Sequence, residues 1–413
     1  MEFCTKVLHG KSVGRARDGA TLPPISQVSA FSYENAEELQ KVFAGRAPGF
    51  AYTRIANPTV DAFERRICEL EGGAAATACS SGMAAISAAL LNILRSGDEV
   101  IASSGLFGGT VDLFRDLEEY GIATKFVTHM TADEIEKHIT DKTRVIYGEL
   151  IGNPGLDVMD ISSVAALAHA NGIPLVVDAT TATPYLIRSI EHGADIVIHS
   201  SSKYINGSGN SISGIIVDSG KFKWDPQKYP VFEGYKKFGS LAFTARLKND
   251  TWRNIGGCLS PMNAYLNLIG VETLALRMER ICENALALAK ALEKLDGVKV
   301  KYPGLESDPC YPLVQKLFGG RGGGIVTLRA GSKEKAYALM NSLKYALNAT
   351  NIGDTKTLVI HPASTIYLHS TEAQRINAGV YDDTIRISVG IEDAKDLIED
   401  FTEAIEHVNG KEW

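Results

Sequence analysis

Ile196-Val197-Ile198-His199-Ser200-Ser201-Ser202-Lys203 is an apolar run that passes through three consecutive serines into a lysine. The β-branched half has the composition of a buried strand, and the serines end it in a loop rich in hydroxyl donors. A lysine placed there loses solvent. Desolvation disfavours the ammonium form and lowers the pKa, so the neutral amine that condenses with an aldehyde becomes accessible. Taken alone, the pattern also describes a lysine snorkelling from a strand end, and the neighbouring sequence has to decide.

A second apolar run, Pro174-Leu175-Val176-Val177, ends in Asp178, one strand-helix unit upstream. An aspartate after a buried strand is often a cap or turn former. Beside a desolvated lysine it has another use, because pyridoxal phosphate (PLP) works as an electron sink only while its ring nitrogen stays protonated, and a carboxylate keeps it so. Cys79-Ser80-Ser81-Gly82-Met83 leads into a helix-like stretch, 84–94. Small residues at a helix N-terminus bring backbone N–H groups and the positive dipole end to an anion. By itself this is a serine-capped helix; with Lys203 and Asp178 it reads as the phosphate cradle of a PLP that Lys203 holds as a Schiff base.

Short Val- and Ile-rich runs recur at 100–102, 145–147, 175–177, 196–198 and 215–217, several separated by helix-period segments such as 161–170. That alternation is the α/β signature. In open parallel sheets ligands bind outside the carboxyl ends of strands, and Glu149, Asn153, Asp178 and Lys203 all fall just past such ends. One shared pocket is predicted.

With 45% hydrophobic and 22% charged residues, the 413-residue chain has the composition of a globular protein, and its net charge of −7 gives no basic footprint for nucleic acid. No apolar run approaches the roughly 18 residues of a membrane helix, and Met1-Glu2-Phe3-Cys4-Thr5-Lys6 lacks a signal-peptide core, so a cytoplasmic location is expected. Six scattered cysteines are expected as reduced thiols, and nine histidines show no metal-ligand spacing; no metal is expected. A nucleotide-binding α/β protein is the rival class, but no G-x-x-x-x-G-K-S/T motif occurs and Gly207-Ser208-Gly209 lacks the third fingerprint glycine. A binding protein that kept the pocket and lost catalysis is a second rival, opposed by the retained Lys203, Asp178 and Arg386.

Tyr52-Thr53-Arg54-Ile55-Ala56-Asn57-Pro58-Thr59, Ser81-Gly82-Met83-Ala84-Ala85, Ser200 to Tyr204, His361-Pro362-Ala363-Ser364 and Arg386 to Glu392 together resemble the Cys/Met-metabolism family of PLP enzymes, the cystathionine γ-synthase group of fold type I. Ile151 to Asp157, Gly256-Gly257-Cys258-Leu259-Ser260-Pro261 and Asn351-Ile352-Gly353-Asp354 draw the resemblance toward O-acetylhomoserine sulfhydrylases. The resemblance implies a mostly parallel central sheet flanked by helices with a smaller C-terminal α+β domain. It implies γ-replacement on an O-acylhomoserine, O-acetyl-L-homoserine first, by a sulfur nucleophile to give homocysteine or methionine. The alternative is a γ-lyase or cystathionine γ-synthase acting on methionine, cystathionine or O-succinylhomoserine.

Residue by residue, the resemblance implies Lys203 as Schiff-base lysine and proton shuttle, Asp178 on the pyridine nitrogen and Asn153 near the pyridine hydroxyl. Phosphate falls to Ser81, Gly82, Met83, Ser200 and Ser202, with Tyr52 and Arg54 reaching the phosphate of a neighbouring subunit in a homotetramer built from dimers that share sites. Arg386, Asn351 and Ser364 are implied at the substrate, a guanidinium fork suiting its carboxylate. Three positions depart from the family: Phe107 replaces a tyrosine that stacks on the cofactor and donates a proton, Ala179 an asparagine, and Ile366-Tyr367 a Thr-His pair. Phe107 keeps the stacking and loses the proton, unless Tyr52 supplies a hydroxyl to the same pocket.

The expected organisation is an arm over 1–57, interrupted by Gly10, Gly14, Gly19 and Pro23-Pro24, a large cofactor domain over 58–265 and a small domain over 266–413. The stretch from Ala264 to Leu295 is predicted helical with a break at Gly270, and 393–407 as a closing amphipathic helix.

Overall fold

The computed structural model describes residues 1–12 and 19–410; Gly14 lies outside them. Seven strands form one sheet: β1 Ala75–Cys79, β2 Glu99–Ser103, β3 Ala123–Val127, β4 Thr143–Glu149, β5 Leu175–Asp178, β6 Ile196–His199 and β7 Gly214–Asp218, in the order β1-β7-β6-β5-β4-β2-β3. Strands β2 to β6 pair in parallel, and β7 runs antiparallel to both β1 and β6.

Helices cover both faces, which is why β5, β6 and β7 are buried along their whole length and read as continuous apolar runs rather than alternating ones. Val177 and Val197 belong to one core, while Val176, Ile196 and Ile198 point the other way into a second. A second sheet, β8 Lys299–Lys301, β9 Ile325–Arg329, β10 Leu347–Asn348, β11 Leu358–Ile360 and β12 Thr384–Ser388, has the order β10-β11-β12-β9-β8 and its own core with the helices Leu274–Leu292 and Ala394–Asn409. The architecture is the α/β fold with a smaller C-terminal sheet domain.

The predicted break at Gly270 is corrected: helix Pro261–Glu272 runs through it, and Thr273 separates that helix from Leu274–Leu292. Gly270 serves close packing instead, since a Cβ there would lie 2.2 Å from the Asn206 carbonyl oxygen. The closing helix extends to Asn409 and buries Leu397, Phe401, Ile405 and Val408. Ahead of the sheet, the described residues of 1–57 hold the helices Phe3–His9 and Ala36–Phe43 amid irregular chain. Among the described residues no helix is long and apolar enough to cross a membrane, and no group of His, Cys, Asp and Glu could hold a metal ion.

Candidate active site

A cavity of about 510 Å³ opens where the carboxyl ends of β4, β5 and β6 face the second sheet. Residues 82, 83, 107, 149, 153, 178, 200 and 203 line it from the large sheet's side, and 350–352, 365, 366 and Arg386 close it from the other.

Lys203 sits in the turn after β6, where the serine run leaves the sheet; its backbone N–H donates to the Ser200 carbonyl and its own carbonyl accepts from Gly207. Its Nζ donates to Asn351 Oδ1 at 2.6 Å. Burial, with a further contribution from the Arg386 charge, lowers its pKa to about 8. A neutral amine is therefore available near neutral pH, as the sequence predicts.

Asp178 ends β5 and lies opposite Glu149 in the parallel register of β4 and β5. Thr180 N–H donates to its Oδ1 at 2.9 Å, and the Tyr147 hydroxyl approaches Oδ2 at 3.5 Å. Both donors are neutral. Burial raises the Asp178 carboxyl, and burial together with the Asp178 charge pushes Glu149 up to about 8. Two desolvated carboxyls this close hold one negative charge far more easily than two. Sequence reasoning placed Glu149 in the pocket without giving it a role. It accepts the Phe107 N–H on Oε1 at 2.6 Å and the Asn153 N–H on Oε2 at 3.0 Å, so one carboxyl anchors two loops. A glutamate at a strand end carries no sequence signal of such a clamp.

Helix Gly82–Leu91 begins at the cavity, and Ser81 caps it by accepting the Ala84 N–H at 3.0 Å. A Cβ on Gly82 would come within 2.6 Å of the Ser200 Cβ, so only glycine lets the helix start this close to the serine loop. The Ser200 and Ser202 hydroxyls are 3.0 Å apart. Ser81 and Ser202 are near the cavity but do not line it, whereas Gly82, Met83 and Ser200 do.

Arg386 projects from the middle of β12 and is 3% exposed. Nη1 donates to Asn153 Oδ1 at 3.3 Å and Nη2 to the Asn351 carbonyl at 2.9 Å, while Nε is buried without a partner. A buried guanidinium with free donor capacity at a cavity wall matches a carboxylate.

Phe107 caps helix Gly108–Glu119 and faces the cavity. No tyrosine, histidine or cysteine lines the cavity among the described residues. The Tyr367 hydroxyl donates to the Leu106 carbonyl at 2.6 Å, supporting the Phe107 loop from the second sheet's side rather than entering the cavity. Ala179 is fully buried in the core, its N–H donated to the Ile198 carbonyl. The remaining implied residues lie away from the cavity wall. Ser364 lies outside the cavity lining, with its hydroxyl 2.8 Å from both the Tyr337 hydroxyl and His361 Nδ1. Tyr52 is 42% exposed and Arg54 donates to the Arg253 carbonyl at 2.8 Å; neither lines the cavity of its own chain.

Residues 4–406 match the Cys/Met metabolism PLP-dependent enzyme family. The chain belongs to this family. A homocysteine synthase of Schizosaccharomyces pombe is 42% identical, with 98% of each chain covered. An O-acetyl-L-homoserine sulfhydrylase of Corynebacterium glutamicum is 39% identical over 96% of this chain and 95% of its own. Among solved structures, a putative O-acetylhomoserine (thiol)-lyase of Campylobacter jejuni, bearing an N'-pyridoxyl-lysine-5'-monophosphate, superposes with a TM-score of 0.94 at 33% identity, covering 98% of this chain and 100% of that one.

The cavity of this Cys/Met metabolism enzyme fits the PLP on which the family depends. Asp178 is a desolvated carboxyl met only by neutral donors, and a protonated ring nitrogen supplies the missing counter-charge. Gly82, where a Cβ would clash with Ser200, brings the helix N-terminus and the serine loop together at the cavity wall as a phosphate requires, and the amine of Lys203 is tuned toward its neutral form.

Proposed function

We propose that the chain replaces the acyl group of an O-acylhomoserine, O-acetyl-L-homoserine first, with a sulfur nucleophile, yielding homocysteine or methionine. PLP, when bound, supplies the electron sink that makes the substrate's α-proton removable. Lys203 holds the cofactor and then moves protons through Nζ, taking the α-proton and a β-proton in turn. Asp178 holds the proton on the ring nitrogen, and Asn153 stands by the ring hydroxyl. Gly82, Met83, Ser200 and Ser202 take the phosphate, with Ser81 fixing the helix start. Arg386, oriented by Asn351 and Asn153, clamps the substrate carboxylate, and Phe107 packs against the ring.

The observation that carries the acyl-substrate reading is Phe107 in a cavity without a phenol, imidazole or thiol of its own. An acyl oxygen leaves without an acid, whereas a thiolate leaving group needs one. Purified enzyme assayed with O-acetyl-homoserine, O-succinyl-homoserine, methionine and cystathionine, with and without sulfide, is expected to favour the acetyl ester with sulfide. Phe107→Tyr is expected to raise kcat/KM on methionine toward the about 10²- to 10⁴-fold that a positioned acid contributes, with little change on the ester. An unchanged ratio, or a wild type faster on methionine, defeats this reading and favours a γ-lyase.

We assign 1–57 as an arm, 58–265 as the cofactor domain and 266–413 as the substrate-clamping domain, in a cytoplasmic homotetramer whose dimers share sites. What supports sharing is that Tyr52 and Arg54 lie outside their own chain's cavity, and a two-fold interface would deliver them reciprocally. Light scattering at assay concentration is expected to show at least a dimer, and Arg54→Ala to weaken PLP retention. A fully active monomer excludes the shared site.

A further inference from the structure

Cys79 ends β1 at the start of the loop that opens helix Gly82–Leu91, and Cys258 lies directly opposite it in an isolated antiparallel bridge. The bridge carries a bond from Ser80 N–H to the Gly257 carbonyl at 2.8 Å. That bond joins the residue after Cys79 to the one before Cys258, which makes the cysteines a non-hydrogen-bonded pair. Such pairs hold their Cα atoms about 4.5 Å apart with both side chains on the same face, inside the range of about 4.4–6.8 Å that a disulfide spans. Both side chains accordingly meet the same apolar core. Cys79 is fully buried, Cys258 is partly exposed, and both are free thiols.

We propose that Cys79 and Cys258 form a reversible disulfide site that loosens the phosphate cradle when oxidised. The oxidant is a low-molecular-weight disulfide. The Cys258 thiolate attacks it and displaces one thiol; the Cys79 sulfur, giving its proton to water, then attacks the Cys258 sulfur and displaces the second. Two protein thiols are oxidised and one disulfide is reduced to two thiols. Burial raises the Cys79 thiol, so the second step is the slow one and speeds up with pH.

The consequence for the cofactor rests on the cradle proposed above. A disulfide draws the two Cβ atoms to about 3.8 Å, closer than unlinked cross-strand pairs at about 4.5–5.5 Å. The shift falls on Ser80 and Ser81, next to the contact where a Cβ on Gly82 has no room against Ser200. The cradle has no slack to absorb it.

Holoenzyme is equilibrated in glutathione buffers of increasing oxidised fraction, quenched with acid, digested without reductant and mapped by tandem mass spectrometry. A crosslinked peptide joining Cys79 to Cys258 is expected, abolished in Cys79→Ala and in Cys258→Ser and reversed by dithiothreitol. In the same samples PLP in the ultrafiltrate rises with the crosslinked fraction for the wild type and stays at baseline for Cys258→Ser. Glutathione adducts on Cys258 with no crosslink at any ratio overturn the pairing. A crosslink with unchanged PLP retention overturns its action on the cradle. A protein that carries no PLP before oxidation fails the cofactor assignment instead, and the peptide map still tests the pairing.

Discussion

Lys203→Ala is expected to remove turnover altogether, a loss beyond the about 10⁴-fold that a single acid–base group contributes, because one residue serves both as covalent anchor and as proton carrier. The visible absorption of lysine-bound PLP should vanish with it, while the fold persists: Lys203 is only partly buried, and its side chain makes one hydrogen bond, to Asn351. Comparing spectrum, steady-state rate and thermal unfolding separates the two losses. A variant that keeps the absorption band and any appreciable rate places the anchor elsewhere.

Asp178→Ala is the second large effect. The variant should still bind cofactor through the cradle and Lys203, yet α-proton abstraction should slow by orders of magnitude, since nothing then holds the ring nitrogen protonated. Removing Asp178 also removes the charge that helps push the Glu149 carboxyl up. Glu149 therefore becomes easier to ionise, and its clamp on the Phe107 and Asn153 N–H groups strengthens, so the defect should not come from collapse of those loops. Single-turnover deuterium exchange at the α-carbon measures the step. Near-normal exchange with intact cofactor takes Asp178 out of the role.

Much of this site was legible because its residues combine strong chemistry with strong local context. Lys203 and Asp178 each end a β-branched run, and such runs in a sheet covered on both faces announce their strands. What periodicity could not tell was direction: Ile215-Ile216-Val217 reads identically whichever way β7 runs. Two residues supplied by the second sheet's loops were also hard to see, since Thr350 and Thr365 are neutral side chains outside the recognisable motifs. Ser364 stands off the cavity lining that Thr365 and Ile366 reach, its backbone N–H capped by His361 and its hydroxyl turned to the same imidazole. Gly270 reads as a breaker from composition alone, whereas its tertiary contact with Asn206 is the reason glycine stands there.

The Glu149 clamp has a meaning for how such a site diversifies. It grips position 107 through the main-chain N–H and leaves the side chain uncommitted. The aromatic ring over the pocket can thus exchange a phenol for a phenyl without displacing the loop that carries it. The place of the loop is set independently of the side chain it presents, so Phe107→Tyr adds a hydroxyl on an unaltered frame.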